Sequence, residues 1–283
     1  MYSQTFSRQN PGCIIFLVDR SDSMRASWGG SNLTLAQGAA QAINKMLFEL
    51  CVKSTKVHDA PMYLYFYVGI YGYGLCPRRS GEGVESALPV ALADRFIVPL
   101  PELADHPLRV QDGGPGARPG LPVWYEPAHG YSTPACAAFE MVGSHVKEWV
   151  AAFPSSFPPI VCHMTDGLVT DSPYKDVDLA GWARRLTQIS TDHGTTLLLN
   201  AFLSPSDATM TLFPDNARGL PAPGPGLFEM SSPLPEPMVH NAAAADIPVG
   251  SGARGFVFNA DFATLVKFLA VGTQFNVHDE TYA

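Results

Sequence analysis

Asp19, Ser21 and Ser23 stand at alternate positions in Asp19-Arg-Ser-Asp-Ser23, a D-x-S-x-S pattern offering one carboxylate and two hydroxyls on a tight loop. Thr133 directly precedes Pro134 in Gly130-Tyr-Ser-Thr-Pro134, and Asp166 is the middle residue of Thr165-Asp-Gly167. Brought together, Asp19, Ser21, Ser23, Thr133 and Asp166 present only hard oxygen donors. Such a set suits Mg²⁺, which takes six oxygens and keeps several waters, and it serves Mn²⁺ equally. No cysteine or histidine cluster accompanies it, so zinc is not expected there. D-x-S-x-S alone is a weak signal; its weight comes from where it falls along the chain. Each residue also has a plainer reading. Asp19 and Ser23 can cap a turn or helix, and Asp166 can form an Asx-turn before Gly167. Thr133 can be an N-cap, with Ser132 competing for any ligand role.

The elements around these residues must carry them to one place. Cys13-Ile-Ile-Phe-Leu-Val18 is a fully apolar, β-branched-rich run, the pattern of a strand buried on both faces, and D-x-S-x-S follows it directly. Asn32 is placed to cap a helix whose apolar positions are Leu35, Ala39, Ile43, Met46, Leu47 and Leu50. A second strand is expected over 62–70, opened by Pro61 and ended by Tyr71-Gly-Tyr-Gly74, with Tyr63, Tyr65 and Tyr67 packing against helices. A short edge strand is expected within 87–98. Pro134 opens a helix over 136–153, and the run 159–165 is another buried strand with Asp166 at its end. A helix over 178–190, a strand over 195–203, a short strand over 255–259 and a helix over 262–275 capped by Asp261 complete the pattern. Strands alternating with helices imply an α/β fold: a doubly wound, mostly parallel sheet of about six strands with helices on both faces. Ligands bind such sheets beyond the carboxyl ends of the strands, where all three motifs fall. The chain reads as a single domain over 1–283 with its core at 13–275. The Pro/Gly-rich stretches 99–130, centred on 113–120, and 204–253, with at most one short helix, are expected as surface insertions.

Ile14 to Met24, then Ser132-Thr-Pro134, then Met164-Thr-Asp-Gly167 resemble the metal-ion-dependent adhesion site of a von Willebrand factor A (vWA) domain, in the expected order over most of the chain. The end of the chain, Gly255 to Ala260 and the helix after it, is similar to the bacterial intracellular vWA group that includes the tellurite-resistance-type proteins. The resemblance implies a Rossmann-like vWA fold in which Ser21, Ser23 and Thr133 bind the metal through hydroxyls. Asp19 and Asp166 would hold it through waters, or directly when the site is closed. It further implies a cytoplasmic, non-enzymatic interaction module taking a partner's Asp or Glu as the sixth ligand, as a scaffold for a kinase, a phosphatase or an AAA+ ATPase. One departure concerns Gly130-Tyr-Ser-Thr133, where many members carry two adjacent glycines; it bears on loop conformation more than on the ligand.

Composition narrows the alternatives. The formal charge over 283 residues is 18 − 26 = −8, which argues against nucleic acid or an anionic membrane as partner. Only 16% of residues are charged, so a partner is expected to cover part of the surface. No run of 18 apolar residues is present, and the polar N-terminus does not read as a signal peptide. The five cysteines form no C-x-x-C pair; three of them sit in apolar contexts and read as buried hydrophobes, and the compartment is expected to be reducing. No G-x-S-x-G, no G-x-x-x-x-G-K-[ST] and no dinucleotide fingerprint occurs; Gly81-Glu-Gly83 does not extend into one. A second class, a metal-dependent hydrolase of a phosphate-containing substrate, stays open; His129 is its loose candidate base. His163 reads as a core histidine, Asp22 as solvent-facing and Asp171 as loop support. Trp28 reads equally as an exposed contact or as a lid packed on the domain.

Overall fold

The computed structural model describes residues 2–3, 5–29, 31–55, 61–111, 120–205 and 208–272. β1 (Gly12–Arg20) is buried at all nine positions, as a strand covered on both faces must be. Asp19 and Arg20 are its last two residues, and Asp22–Arg25 make a single 3-10 turn. α1 (Leu35–Ser54) starts after Thr34 rather than Asn32. The Thr34 hydroxyl accepts from the Gln37 amide at 3.1 Å and the Gln37 side chain accepts from the Thr34 amide at 2.8 Å, a reciprocal cap that outcompetes the lone asparagine. β2 (Phe66–Cys76) begins later than expected and runs straight through Tyr71-Gly-Tyr-Gly74. Gly72 does not end the strand but makes room: a Cβ there would lie 2.4 Å from Arg20 Nε.

The chain continues as β3 (Gly81–Ser86), β4 (Ile97–Pro99), α2 (Leu100–Ala104), β5 (Arg109–Gln111), β6 (Leu121–Val123) and α3 (Ala135–Ala152). Then come β7 (Ile160–Thr165), α4 (Leu179–Thr187), β8 (Ser190–Thr191), β9 (Gly194–Thr195), β10 (Leu197–Phe202) and β11 (Thr211–Leu212). α5 (Gly224–Met230), α6 (Glu236–Ala244), β12 (Phe256–Phe258) and α7 (Phe262–Val271) complete the described elements. Asp261 caps α7 as expected, accepting from the Thr264 amide at 2.7 Å.

Eight strands, not six, form the main sheet, in the order β11-β12-β10-β7-β1-β2-β3, with β4 also paired to β2. The five central strands are mutually parallel; β3, β4 and β11 add antiparallel edges. β4 lies at the end of the 87–98 stretch where an edge strand is expected; the two additions are β3, Gly-Glu-Gly-Val-Glu-Ser with no apolar alternation, and β11, only two residues long. β1 has β2 on one side and β7 on the other, so the strand order reverses there and a crevice opens beyond Asp19 and Thr165.

Alternate residues of each strand face opposite layers. Ile14, Phe16 and Val18 pack with α1 and α7, whereas Ile15, Leu17, Tyr71 and Tyr73 pack with α3 and α4. The two Pro/Gly-rich stretches are not simply surface. Leu100, Leu103, Trp124 and Tyr125 are buried in the first, and Phe213, Leu227, Phe228 and Met238 in the second, which holds two helices. Proline at the first turn of α5 and α6 is compatible with a helix start and masks the periodicity. The centre of the first stretch, 112–119, and positions 273–275 of the closing helix lie outside the described residues. Among the described residues no helix is long and apolar enough to cross a membrane.

Candidate metal centre

Asp19 is fully buried at the end of β1. One carboxylate oxygen accepts from the Ser21 amide and the other from the Thr165 hydroxyl, each at 2.8 Å. The Ser21 and Ser23 hydroxyls lie 3.0 Å apart, which places both on one side of the loop. Asp166 follows β7 directly, half-buried, with Leu168 donating to its Oδ1 at 3.4 Å. Burial pushes the Asp19 carboxyl up to about 7 against hydrogen bonds from Ser21 and Thr165, and the nearby charge of Asp166 adds to the rise. Two carboxylates that sense each other in a buried crevice, with hydroxyls beside them, are a donor set a divalent cation would neutralise.

The third loop is stitched to the other two by its backbone. Gly130 N–H donates to the Arg20 carbonyl at 2.8 Å, and Asp22 N–H donates to the Tyr131 carbonyl at 3.1 Å. On the other side, Thr133 N–H donates to the Thr170 hydroxyl at 2.8 Å and the Thr133 carbonyl accepts from the Thr170 amide at 3.1 Å. The Asp171 carboxylate accepts from both Cys136 and Ala137 amides at 2.9 Å, fixing the start of α3 just after Pro134. With Thr165 donating to Asp19, each of the three loops is bonded to the other two. Thr133 itself is buried, and its hydroxyl makes no hydrogen bond among the described residues. Ser132 is committed elsewhere, its hydroxyl donating to Glu82. Tyr131 adopts φ +65°, in the left-handed region that favours glycine, so the backbone beside Thr133 carries strain. Gly167, at φ +92°, lets Pro223 sit where a Cβ would be 2.4 Å from its ring.

The structure thus brings Asp19, Ser21, Ser23 and Asp166 together at the switch point and anchors Thr133 through its backbone beside them. Glu82 and Thr170 are additions that sequence reading missed. They hold the loop from 50 and 37 positions away, and no local pattern marks them. Asp171 supports the loop as expected. Among the described residues no group of three or more His, Cys, Asp or Glu side chains is placed to hold a metal. A candidate ion therefore depends on the hydroxyls as well as the two carboxylates.

Beneath the site, on the α3/α4 face, lies a buried polar line. The Tyr73 hydroxyl is 2.7 Å from His163 Nε2, and His163 Nδ1 is 2.7 Å from Asn200 Oδ1. The Asn200 amide donates to the Leu227 carbonyl at 3.2 Å and to Ser231 Oγ at 2.9 Å. A carbonyl only accepts, so Asn200 turns its NH₂ toward Leu227 and its oxygen toward His163. His163 is then protonated on Nδ1, and Tyr73 donates to Nε2. Burial holds the imidazole down to about 4, so it is neutral near pH 7. Tyr73 is the register partner of Asp19 on the adjacent strand, which brings this line up to the candidate metal centre.

The remaining candidates separate cleanly. Trp28 is buried and its indole N–H donates to the Ala260 carbonyl at 3.0 Å, so it packs on the domain. His129 is exposed, as is Asp22, which pairs with Arg25 at 3.4 Å. All five cysteines are buried free thiols. No family model matches the chain, and no curated protein matches it. Among solved structures it is similar to the pilus adhesin SpaC from Lactobacillus rhamnosus GG in its open conformation: 13% identity, 94% of this chain, 29% of that chain, TM-score 0.44. It is also similar to proximal thread matrix protein 1 from the mussel byssus: 16% identity, 68% of this chain, 38% of that chain, TM-score 0.36. A second structure of that protein, described with a zinc-occupied MIDAS motif, aligns at 15% identity over the same shares, with a TM-score of 0.34. The chain spans less than two fifths of the length of each of these structures.

Proposed function

We propose that the chain is a metal-dependent protein-interaction module of the vWA type, binding Mg²⁺ or Mn²⁺ through Ser21, Ser23, Thr133, Asp19 and Asp166. The reading rests on one observation: three loops, each bonded to the other two, present hydroxyls and two carboxylates at the switch point of a parallel sheet. When bound, the ion would supply an electrophilic position that attracts a carboxylate. With Asp19 and Asp166 acting through waters, the neutral hydroxyls leave that charge largely uncompensated, so the occupant is an Asp or Glu of a protein partner. Tyr131 and Leu168 stand more than half exposed immediately beside Thr133 and Asp166, an apolar rim that an interface of ordinary size would cover. Turnover would call for a base held at the site, and the exposed His129 makes no hydrogen bond among the described residues. The module is therefore read as non-enzymatic, a cytoplasmic scaffold for a kinase, phosphatase or AAA+ ATPase.

The test is calorimetric titration of the full chain with Mn²⁺ and Mg²⁺. Saturable binding is expected. Asp19→Ala is expected to abolish it and Thr133→Ala to weaken it about tenfold or more, while Ser132→Ala, whose hydroxyl is turned to Glu82, changes it less than about threefold. Undiminished binding in a folded Asp19→Ala protein would remove the assignment.

A further inference from the structure

At the opposite end of the strands from the candidate metal centre, a cleft of about 280 Å³ lies between the start of β2, β4 and the last turns of α3. Its walls are Tyr67, Phe96, His145 and Trp149, with Ile97, Arg95 and Glu148 completing the lining. Tyr67 lies six residues along β2 from Tyr73, so the cleft is about 20 Å from Asp19. Its walls are held in fixed orientations. Phe96 and His145 stack with centroids 4.3 Å apart, and Tyr71 fastens His145 by a 3.0 Å hydrogen bond to Nδ1. Trp149 meets Tyr67 edge-on at 6.3 Å, and both pack against Phe153 at 5.1 Å. Gly69, between Tyr67 and Tyr71 on the same face, has no side chain to fill the floor; a Cβ there would lie 2.8 Å from the Phe96 carbonyl.

We propose that this cleft binds a small organic cation, a quaternary or methylated ammonium group. Aromatic walls attract such a group through their ring quadrupoles, because its charge is spread over methyls and is cheap to desolvate. The charges around the cleft have the matching sign. Glu148 is exposed at its mouth and makes no ion pair among the described residues. Arg95 is neutralised: Nη1 donates to Glu102 at 3.0 Å and Nη2 donates to the same carboxylate. Burial lowers His145 below the usual imidazole range, so near pH 7 it adds no repelling charge. The cleft is of a size for one such head group and is independent of the metal centre.

Calorimetric titration of the full chain tests this with three probes: choline, a trimethyl-lysine peptide, and 3,3-dimethylbutan-1-ol, the neutral isostere of choline. Both cations are expected to saturate, and the neutral isostere to bind roughly tenfold more weakly or not at all. The exposed substitution Glu148→Gln is expected to cut cation affinity about three- to tenfold and leave the isostere unchanged; Tyr67→Leu is expected to weaken the cations further. Tighter binding of choline marks a free small-molecule quaternary ammonium as the natural ligand, and tighter binding of the peptide marks a methylated protein side chain. Equal affinity for the isostere, or no saturation by either cation at about 100 mM, would overturn the proposal.

Discussion

On the α1 face of the sheet, beside the candidate metal centre, Arg20 and Glu85 form a buried ion pair at 3.1 Å, with Tyr125 accepting from Arg20 Nε at 3.2 Å. On the α3 face, Tyr73, His163, Asn200 and Ser231 form a buried line without any charge. The first cluster is left incomplete, since Glu85 Oε2 has no hydrogen-bond partner among the described residues; every member of the second is bonded. Asp19 sits between the two, flanked by Arg20 in sequence and by Tyr73 in register. The difference teaches that this end of the sheet carries two kinds of rigidity. One is ionic, and breaking it leaves a stranded charge. The other is neutral, and altering it mostly leaves an unmet hydrogen bond.

The comparison breaks most visibly at the ion pair. Glu85→Leu alone is expected to destabilise the chain by about 3–5 kcal/mol in denaturant unfolding, because Arg20 would be left buried and unpaired. Arg20→Met with Glu85→Leu is expected to recover most of that loss. If the double variant is as unstable as the single, the pair is held by packing rather than by charge.

The neutral line answers to pH instead. His163 resists protonation in the folded state down to about 4, whereas an unfolded histidine takes a proton near 6.5. Between those values the unfolded chain binds more protons, so stability is full above about 6.5 and falls as pH drops toward 4, by about 3 kcal/mol in all. Asp19 contributes with the opposite sign, because a carboxyl pushed up to about 7 makes the metal-free folded state the better proton acceptor between roughly 4 and 7. The measurable quantity is therefore the difference between wild type and His163→Gln, in which the Asp19 contribution cancels. A flat difference curve would show that His163 is not held neutral by burial.

Smaller still is Tyr73→Phe, which removes one hydroxyl from the line and leaves His163 Nε2 without a donor. A loss of about 1–3 kcal/mol is expected from thermal unfolding, with the ring packing intact. A loss as large as that of Glu85→Leu would erase the distinction between the two faces.

What the sequence revealed follows the range of the signals. D-x-S-x-S and T-D-G were legible because each is local and each follows an apolar run that can only be a buried strand. β1, α3 and β7 were legible for the same reason. Thr34 as the true cap of α1 was overlooked because its partnership with Gln37 is a pair signal, and Asn32 is a good cap taken singly. β2 was cut short because glycine normally weakens a strand, whereas here Gly72 answers the bulk of Arg20 from the neighbouring strand. The second stretch concealed α5 and α6 behind prolines. Glu82, Thr170 and the Arg20–Glu85 pair join residues 37 to 65 positions apart, and only the assembled sheet makes them neighbours.

β1 is made before the other strands of the main sheet and ends in its middle. Its partner β2 follows after α1, but the other edge pairs with β7, some 140 residues after β1 ends. During that interval of synthesis, Cys13-Ile-Ile-Phe-Leu-Val18 presents an open, wholly apolar edge, the kind that recruits stray strands. The Trp28 contact to Ala260 closes later still, so the loop carrying Asp19, Ser21 and Ser23 reaches its final shape only after Ala260 has been made. Nascent chains of this protein should therefore need shielding by a chaperone up to about residue 165, and ribosome-stalled chains ending before Ala260 should lack the finished loop of the candidate ion site.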